Sequence, residues 1–119
     1  MSDKAKARSG IHLRVELGGG FAIGPGKADL LDGIHQTGSI AAAGRRMKMS
    51  YKRAWMLVES MNAAFTEPLV ATSRGGKDRG GAALTQTGET VLTSYRHMQE
   101  LAEGAVGGEA EKLRALVSG

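Results

Sequence analysis

The sequence contains no cysteine, which excludes disulfides, thiolate metal sites and cysteine nucleophiles. Aromatic residues make up only 4% of it and there are two prolines, so a core must be assembled from Leu, Val, Ile, Met and Ala. The 41% hydrophobic content allows that in a single domain of 119 residues. No apolar run approaches the roughly 20 residues of a membrane-spanning helix. The opening Met1 to Arg8 is basic with no apolar stretch behind it, the pattern of neither a signal peptide nor an anchor. A cytoplasmic protein with no membrane partner is the expectation.

Catalytic constellations are scarce as well. His12, His35 and His97 are far apart and in no ligand spacing, so no metal is expected. The glycine-rich stretches Gly24-Pro25-Gly26-Lys27 and Arg74 to Gly81 lack the Gly-Lys-Ser/Thr ending of a phosphate-cradling loop. Asp29, Glu59, Glu67 and Glu89 form no pair with a nearby base. The chain reads as a protein that is not an enzyme, with no cofactor.

What is present is an uneven distribution of charge. The formal net charge is only +4, yet Arg45, Arg46, Lys48, Lys52 and Arg53 fall within nine positions that hold no acid. Arg74, Lys77 and Arg79 form a second basic group around Asp78, whereas Glu100, Glu103, Glu109 and Glu111 fill a stretch without a base. A basic middle and an acidic end point to a polyanionic partner for the middle; a solvated surface is the bland alternative.

Local patterns order the elements as β-β-α-α-α-β-β-α. Ile11 to Leu17 alternates apolar and polar residues, Gly18-Gly19-Gly20 turns the chain, and Phe21-Ala22-Ile23 returns as the second strand of an N-terminal hairpin. Leu30, Leu31 and Ile34 recur at helical spacing from Lys27 to Gln36, and Gly38 suits a left-handed cap. Ser39 caps a second helix to Met47, kept slim by Ala41, Ala42 and Gly44, and Ser50 caps a third running to about Phe65. In that third helix Ala54, Val58 and Met61 make an inward stripe, and Lys52, Met56 and Ser60 face the other way. Tyr51 and Trp55 lie beside the stripe, where either core or partner contact is open. Leu69 to Thr72 and Ala82 to Leu84 read as strands around a basic glycine loop. Thr85 caps a last helix carrying Val91, Leu92, Tyr95, Met98, Leu101 and Ala102, interrupted at Gly107-Gly108.

Two short helices joined by a tight turn and followed by a basic hairpin make a winged helix-turn-helix. The fold class expected is α+β, mainly α, with an N-terminal β-hairpin and a C-terminal dimerisation helix. In such a fold the third helix enters the major groove of double-stranded DNA while the second helix and the wing hold phosphates. The residues expected at DNA are Ser39, Arg45, Arg46, Ser50, Tyr51, Lys52, Arg53, Met56, Arg74, Lys77 and Arg79. The last helix carries more apolar surface than one small domain needs, so Val91, Tyr95, Met98 and Leu101 are expected at a homodimer interface. The rival reading is a degenerate winged helix whose basic face binds an acidic partner protein.

A resemblance sharpens these expectations. Ser39-Ile40, Met49-Ser50-Tyr51-Lys52-Arg53-Ala54-Trp55 and Met61-Asn62 resemble the N-terminal domain of the ModE family of molybdate-responsive regulators. So do Leu69-Val70, Gly75-Gly76-Lys77, Gly80-Gly81-Ala82, Leu84-Thr85 and Gly88; the similarity runs from about residue 11 to 104. It implies a LysR-like winged helix, dimerisation through terminal helices and palindromic operators. Residues 1–10 are then a disordered tail, 11–104 the DNA-binding domain with its dimerisation helix, and 105–119 a helical extension or tail. Longer members continue into molybdate-binding domains, whereas this chain stops at Gly119 with no oxyanion pocket in view, so no small-molecule effector is expected.

Overall fold

A computed structural model describes residues 10–73 and 81–118. Strands β1 (Val15–Gly18) and β2 (Phe21–Ile23) form an antiparallel hairpin, with Val15 opposite Ile23 and a bulge between Glu16 and Gly18. Pairing begins at Val15 and not at Ile11, because β2 ends at Ile23 where Gly24 and Pro25 turn the chain into helix α1 (Pro25–Thr37). Pro25 occupies the first helical turn, where its missing N–H costs nothing, so α1 starts two residues before the expected Lys27.

Short-range capping then sets each boundary. Gly38 adopts a left-handed φ of 73° and its N–H donates to the Ile34 carbonyl at 2.8 Å, which closes α1. The Ser39 hydroxyl accepts from Ala42 N at 3.0 Å to open α2 (Ile40–Arg46), and the Ser50 hydroxyl accepts from Arg53 N at 3.0 Å to open α3 (Tyr51–Ala64). Between them Lys48 takes a left-handed φ of 58°, and Met47 and Met49 both donate to the Gly44 carbonyl. Strands β3 (Val70–Ser73) and β4 (Gly81–Leu84) pair antiparallel, with Val70 opposite Leu84. Thr85, whose hydroxyl accepts from Gly88 N at 2.9 Å, starts α4 (Gln86–Arg114).

Gly107 and Gly108 do not interrupt α4, contrary to the sequence expectation. A glycine in a helix costs about 1 kcal/mol relative to alanine and is not a stop signal. The turns that follow are supported by the ion pairs Lys112–Glu109 and Arg114–Glu111, at 3.2 and 3.1 Å.

The main core lies where α1, α2, α3 and the β3 root meet: Leu30, Leu31, Ile34, Ile40, Ala43, Ala54, Val58, Met61, Leu69 and Val70. Close helix contact depends on small residues. A Cβ on Gly33 would meet the Ala43 Cβ at 3.0 Å, and one on Gly44 would meet the Ala54 Cβ at the same distance. A second, smaller core joins Ile23, Ala28 and Tyr95, so the N-terminal hairpin and α4 are held against α1. The Tyr95 hydroxyl donates to the Leu13 carbonyl at 2.6 Å, which anchors the extended segment before β1. Phe21 meets Phe65 edge to face at 5.4 Å, tying the hairpin to the end of α3.

Tyr95 was expected at a dimer interface; that expectation is corrected. Its ring is 0% exposed within its own chain, so it has no surface to offer a second subunit. Helical spacing marked it as apolar-facing, and the face in question belongs to this chain's own second core.

Candidate nucleic-acid interface

The inward stripe of α3, Ala54, Val58 and Met61, is entirely buried, which fixes the helix's rotation about its own axis. The opposite side is left to solvent. Ser50, Tyr51, Lys52, Arg53 and Met56 are all exposed, and at the end of α2 and in the turn so are Arg45, Arg46 and Lys48. Two of these are large apolar or aromatic groups, Tyr51 at 58% and Met56 at 56% exposure. The α2–turn–α3 unit therefore presents basic side chains interleaved with one methionine and one tyrosine.

Electrostatics on this face are unbalanced. Among the described residues Arg45, Arg46, Lys48, Lys52 and Arg53 form no ion pair with a carboxylate. Arg46 makes a neutral contact instead: its Nη2 donates to Gln36 Oε1 at 3.1 Å. Gln36 in turn donates to Asp32 at 3.1 Å, and Asp32 lies 3.7 Å from Arg96 of α4, which pairs with Asp29 at 2.9 Å. The positive charge of the face is thus kept available to a partner, with α1 supporting one of its arginines.

The question left open for Tyr51 and Trp55 has a split answer. Trp55 is half-buried and packs on the main core, and Tyr51 stands outward in the first turn of α3. Their rings meet edge to face at 6.2 Å, so the core-anchored indole braces the exposed tyrosine. Ser39 is half-buried and its hydroxyl is engaged at the α2 N-terminus. Arg74, Lys77 and Arg79 lie outside the described residues.

Sequence reading missed the group that joins α3 to the wing root. The Asn62 side chain accepts from Leu69 N at 2.8 Å and Val70 N at 3.0 Å, and donates to the Val70 carbonyl at 3.1 Å. Asn62 stood in the sequence only as part of the Met61-Asn62 pair that carries the resemblance, with no role attached to it. Gly88 is the other: a Cβ there would fall on the Leu69 carbonyl oxygen, so α4 can start this close to the wing root only with glycine. Among the expected interface residues of α4, Val91 and Met98 are partly buried against the cores and Leu101 is 59% exposed. Among the described residues no helix is long and apolar enough to cross a membrane, and no group of three His, Asp or Glu could hold a metal ion.

No protein-family model matches the chain. Individual relatives do. Over 95 residues the chain is 39% identical to the transcriptional regulator ModE of Haemophilus influenzae, a match covering 80% of this chain and 37% of that protein. Over 76 residues it is 43% identical to the molybdenum-pterin-binding protein MopB of Rhodobacter capsulatus, covering 64% and 28% respectively. The chain spans about a third of the length of these curated relatives. In fold it is similar to the protein of the CbnR_DBD–DNA complex, with a TM-score of 0.56 and 24% identity over 76% of this chain and 93% of that one. A second likeness is to full-length CbnR complexed with its target DNA, at a TM-score of 0.53 over 75% of this chain. These likenesses show the winged-helix fold.

Proposed function

We propose that the chain, over the stretch that matches, is a member of the ModE family of molybdenum-responsive regulators, a transcriptional regulator that binds double-stranded DNA through α2, the turn and α3. The observation that carries this reading is the outward face of α3 with the end of α2. Its five cations have no carboxylate partner among the described residues, and the buried stripe behind fixes where they point.

Docked along the major groove, the first turn of α3 brings Lys52 and Arg53 to base edges, where a bidentate arginine on guanine is the commonest specific contact. Met56, one turn further on, gives an apolar surface to a thymine methyl. Arg45, Arg46, Lys48 and the N-terminal end of α3 at Ser50 sit at phosphates, with Ser39 doing the same for α2. Tyr51 rests on the sugar–phosphate edge, braced by Trp55. The sequence adds Arg74, Lys77 and Arg79 as further phosphate contacts from the wing.

The regulator acts as a homodimer on a palindromic operator. Val91, Tyr95, Met98 and Leu101 were the residues expected at the two-fold contact; Tyr95 is buried in its own chain, Val91 and Met98 are half-buried, Leu101 is 59% exposed, and further along α4 Val106 and Leu113 are 44% and 65% exposed. Two-fold symmetry then sets the recognition helices about 34 Å apart, or a multiple of it, one turn of B-DNA.

Selection of bound duplexes from a random pool tests the reading, followed by affinity measurements across a salt series. The expected outcome is an inverted repeat, with log affinity falling against log salt by about 0.9 for each phosphate contact. Arg53→Ala or Lys52→Ala should cost about 1–3 kcal/mol on the selected site and relax preference at one position per half-site. Absence of any enriched sequence, with tight binding to an acidic protein instead, would overturn it.

A further inference from the structure

A recognition helix and a wing reach the same duplex together only if their mutual setting is fixed. Asn62 lies near the end of α3, and its amide meets the backbone of the wing root at three points: Leu69 N, Val70 N and the Val70 carbonyl. Toward Val70 the amide offers a donor and an acceptor side by side, as the backbone of a neighbouring strand would. The other strand is held from the opposite side, where Ala82 N donates to the Gly38 carbonyl at 2.9 Å. Thr85 closes the base of the hairpin, with its hydroxyl on the Pro68 carbonyl at 2.7 Å and its N–H on the Leu69 carbonyl at 2.9 Å.

Of these ties, the one to Asn62 runs directly from the side chain of the helix that carries Lys52, Arg53 and Met56. The Gly38 tie comes from the α1–α2 turn, and the Thr85 ties are internal to the hairpin and α4. We propose that Asn62 is a positioning residue for DNA binding: it locks the wing root to the recognition helix, so that the wing's charges meet phosphates while α3 lies in the groove. This rests on the DNA-binding reading above. Alanine in its place leaves Leu69 N and the Val70 backbone without these partners. Aspartate keeps both acceptor contacts but sets a carboxylate oxygen against the Val70 carbonyl in place of a donor.

The test compares the full chain with Asn62→Ala and Asn62→Asp, each alone and with Arg74→Ala plus Lys77→Ala, on selected and random duplexes across a salt series below each variant's unfolding midpoint. Binding by the full chain settles the parent reading first: no salt-dependent duplex binding would overturn that reading, and this inference with it. Given binding, Asn62→Ala should weaken both duplexes by the same factor and keep their ratio. It should also flatten the salt slope by about one to two, the share of the two wing cations. In the charge-removed background it should change the slope no further. Asn62→Asp should move the same way by a smaller amount, and it carries the test if the alanine variant does not fold. An unchanged slope in both variants, or a loss of discrimination with the slope intact, would overturn the proposal.

Discussion

From Gln86 to Met98, α4 lies on the protein's own cores, buries Gly88 and Tyr95, and half-buries Val91, Leu92 and Met98. From Leu101 to Arg114 the same unbroken helix carries Leu101, Val106 and Leu113 at 59%, 44% and 65% exposure. The difference is one of company more than of sequence pattern. At 3.6 residues per turn, Val106 and Leu113 follow Tyr95 by about three and five turns, so they continue its stripe beyond the end of the core. The face made by the end of α2, the turn and the first turn of α3 shows the contrast: most of its exposed side chains are cations, Arg45, Arg46, Lys48, Lys52 and Arg53, which cost little to solvate. Exposed charge suits a face that meets a polyanion, and an apolar stripe that outruns its core suits contact with protein.

The largest effect is expected where the far half of α4 is attacked. Val106→Glu with Leu113→Glu changes four side chains in a two-fold dimer, each worth up to about 1.5–3 kcal/mol of burial. Sedimentation should then show a monomer with the wild-type unfolding midpoint as a monomer and most operator affinity gone. Met98→Glu would be a poorer probe, because Met98 packs on the Tyr95 cluster and its loss damages the fold. A double variant that still dimerises would remove this stripe from the interface.

In the near half, Gly88→Val should destabilise the fold by about 3 kcal/mol or more, because the new Cβ meets backbone that no side-chain rotation can clear. Denaturant midpoints check it, and a loss below about 1 kcal/mol would show that α4 can shift away from Leu69 at little cost. The Tyr95 hydroxyl offers a finer cut. Burial pushes this phenol above its ordinary range, and only the neutral form can donate to Leu13. A folded-state pKa raised above the unfolded one gives stability that is whole below about pH 10 and lost as pH climbs through the folded value. Tyr95→Phe should therefore cost about 1–2 kcal/mol at neutral pH. It should also flatten the alkaline fall in stability, and an unchanged fall would place its origin elsewhere.

How much of this was legible in the sequence follows from the range of the interactions. Ser39, Ser50 and Thr85 accept from N–H groups three residues on, and Gly38 closes α1 on Ile34, so four boundaries were written in local chemistry. The buried stripe Ala54, Val58 and Met61 was equally plain from its spacing. Tyr95 was not, because its partner Leu13 lies 82 positions away and periodicity cannot say whose core a face covers. Asn62 reaches seven and eight residues ahead across a turn, beyond any capping pattern. Gly107-Gly108 misled for the opposite reason: a local signal was read as decisive when the helix around it was strong enough to absorb it. Of the candidate site, the basic residues of α2 and α3 were visible as a charge run, and the bracing of Tyr51 by Trp55 came only with the fold.

The smallest effect sharpens the comparison from the side of α2. Arg46 is steadied by Gln36, Gln36 by Asp32, and Asp32 stands beside Arg96, so a polar chain runs from the near half of α4 across α1 to the basic face. Its links are exposed, and exposed polar contacts are worth about 0.2–1 kcal/mol at most. Gln36→Leu should accordingly leave the unfolding midpoint nearly unchanged. If Arg46 holds a phosphate, freeing its side chain should weaken operator binding by about two- to threefold, within the 1 kcal/mol that such a contact commands. A double-mutant cycle decides the matter: in an Arg46→Ala background, Gln36→Leu should have no further effect on affinity, because the residue it steadies is gone. Additive losses would mean that Gln36 acts on DNA by another route, and that the near half of α4 is bound to the basic face by packing alone.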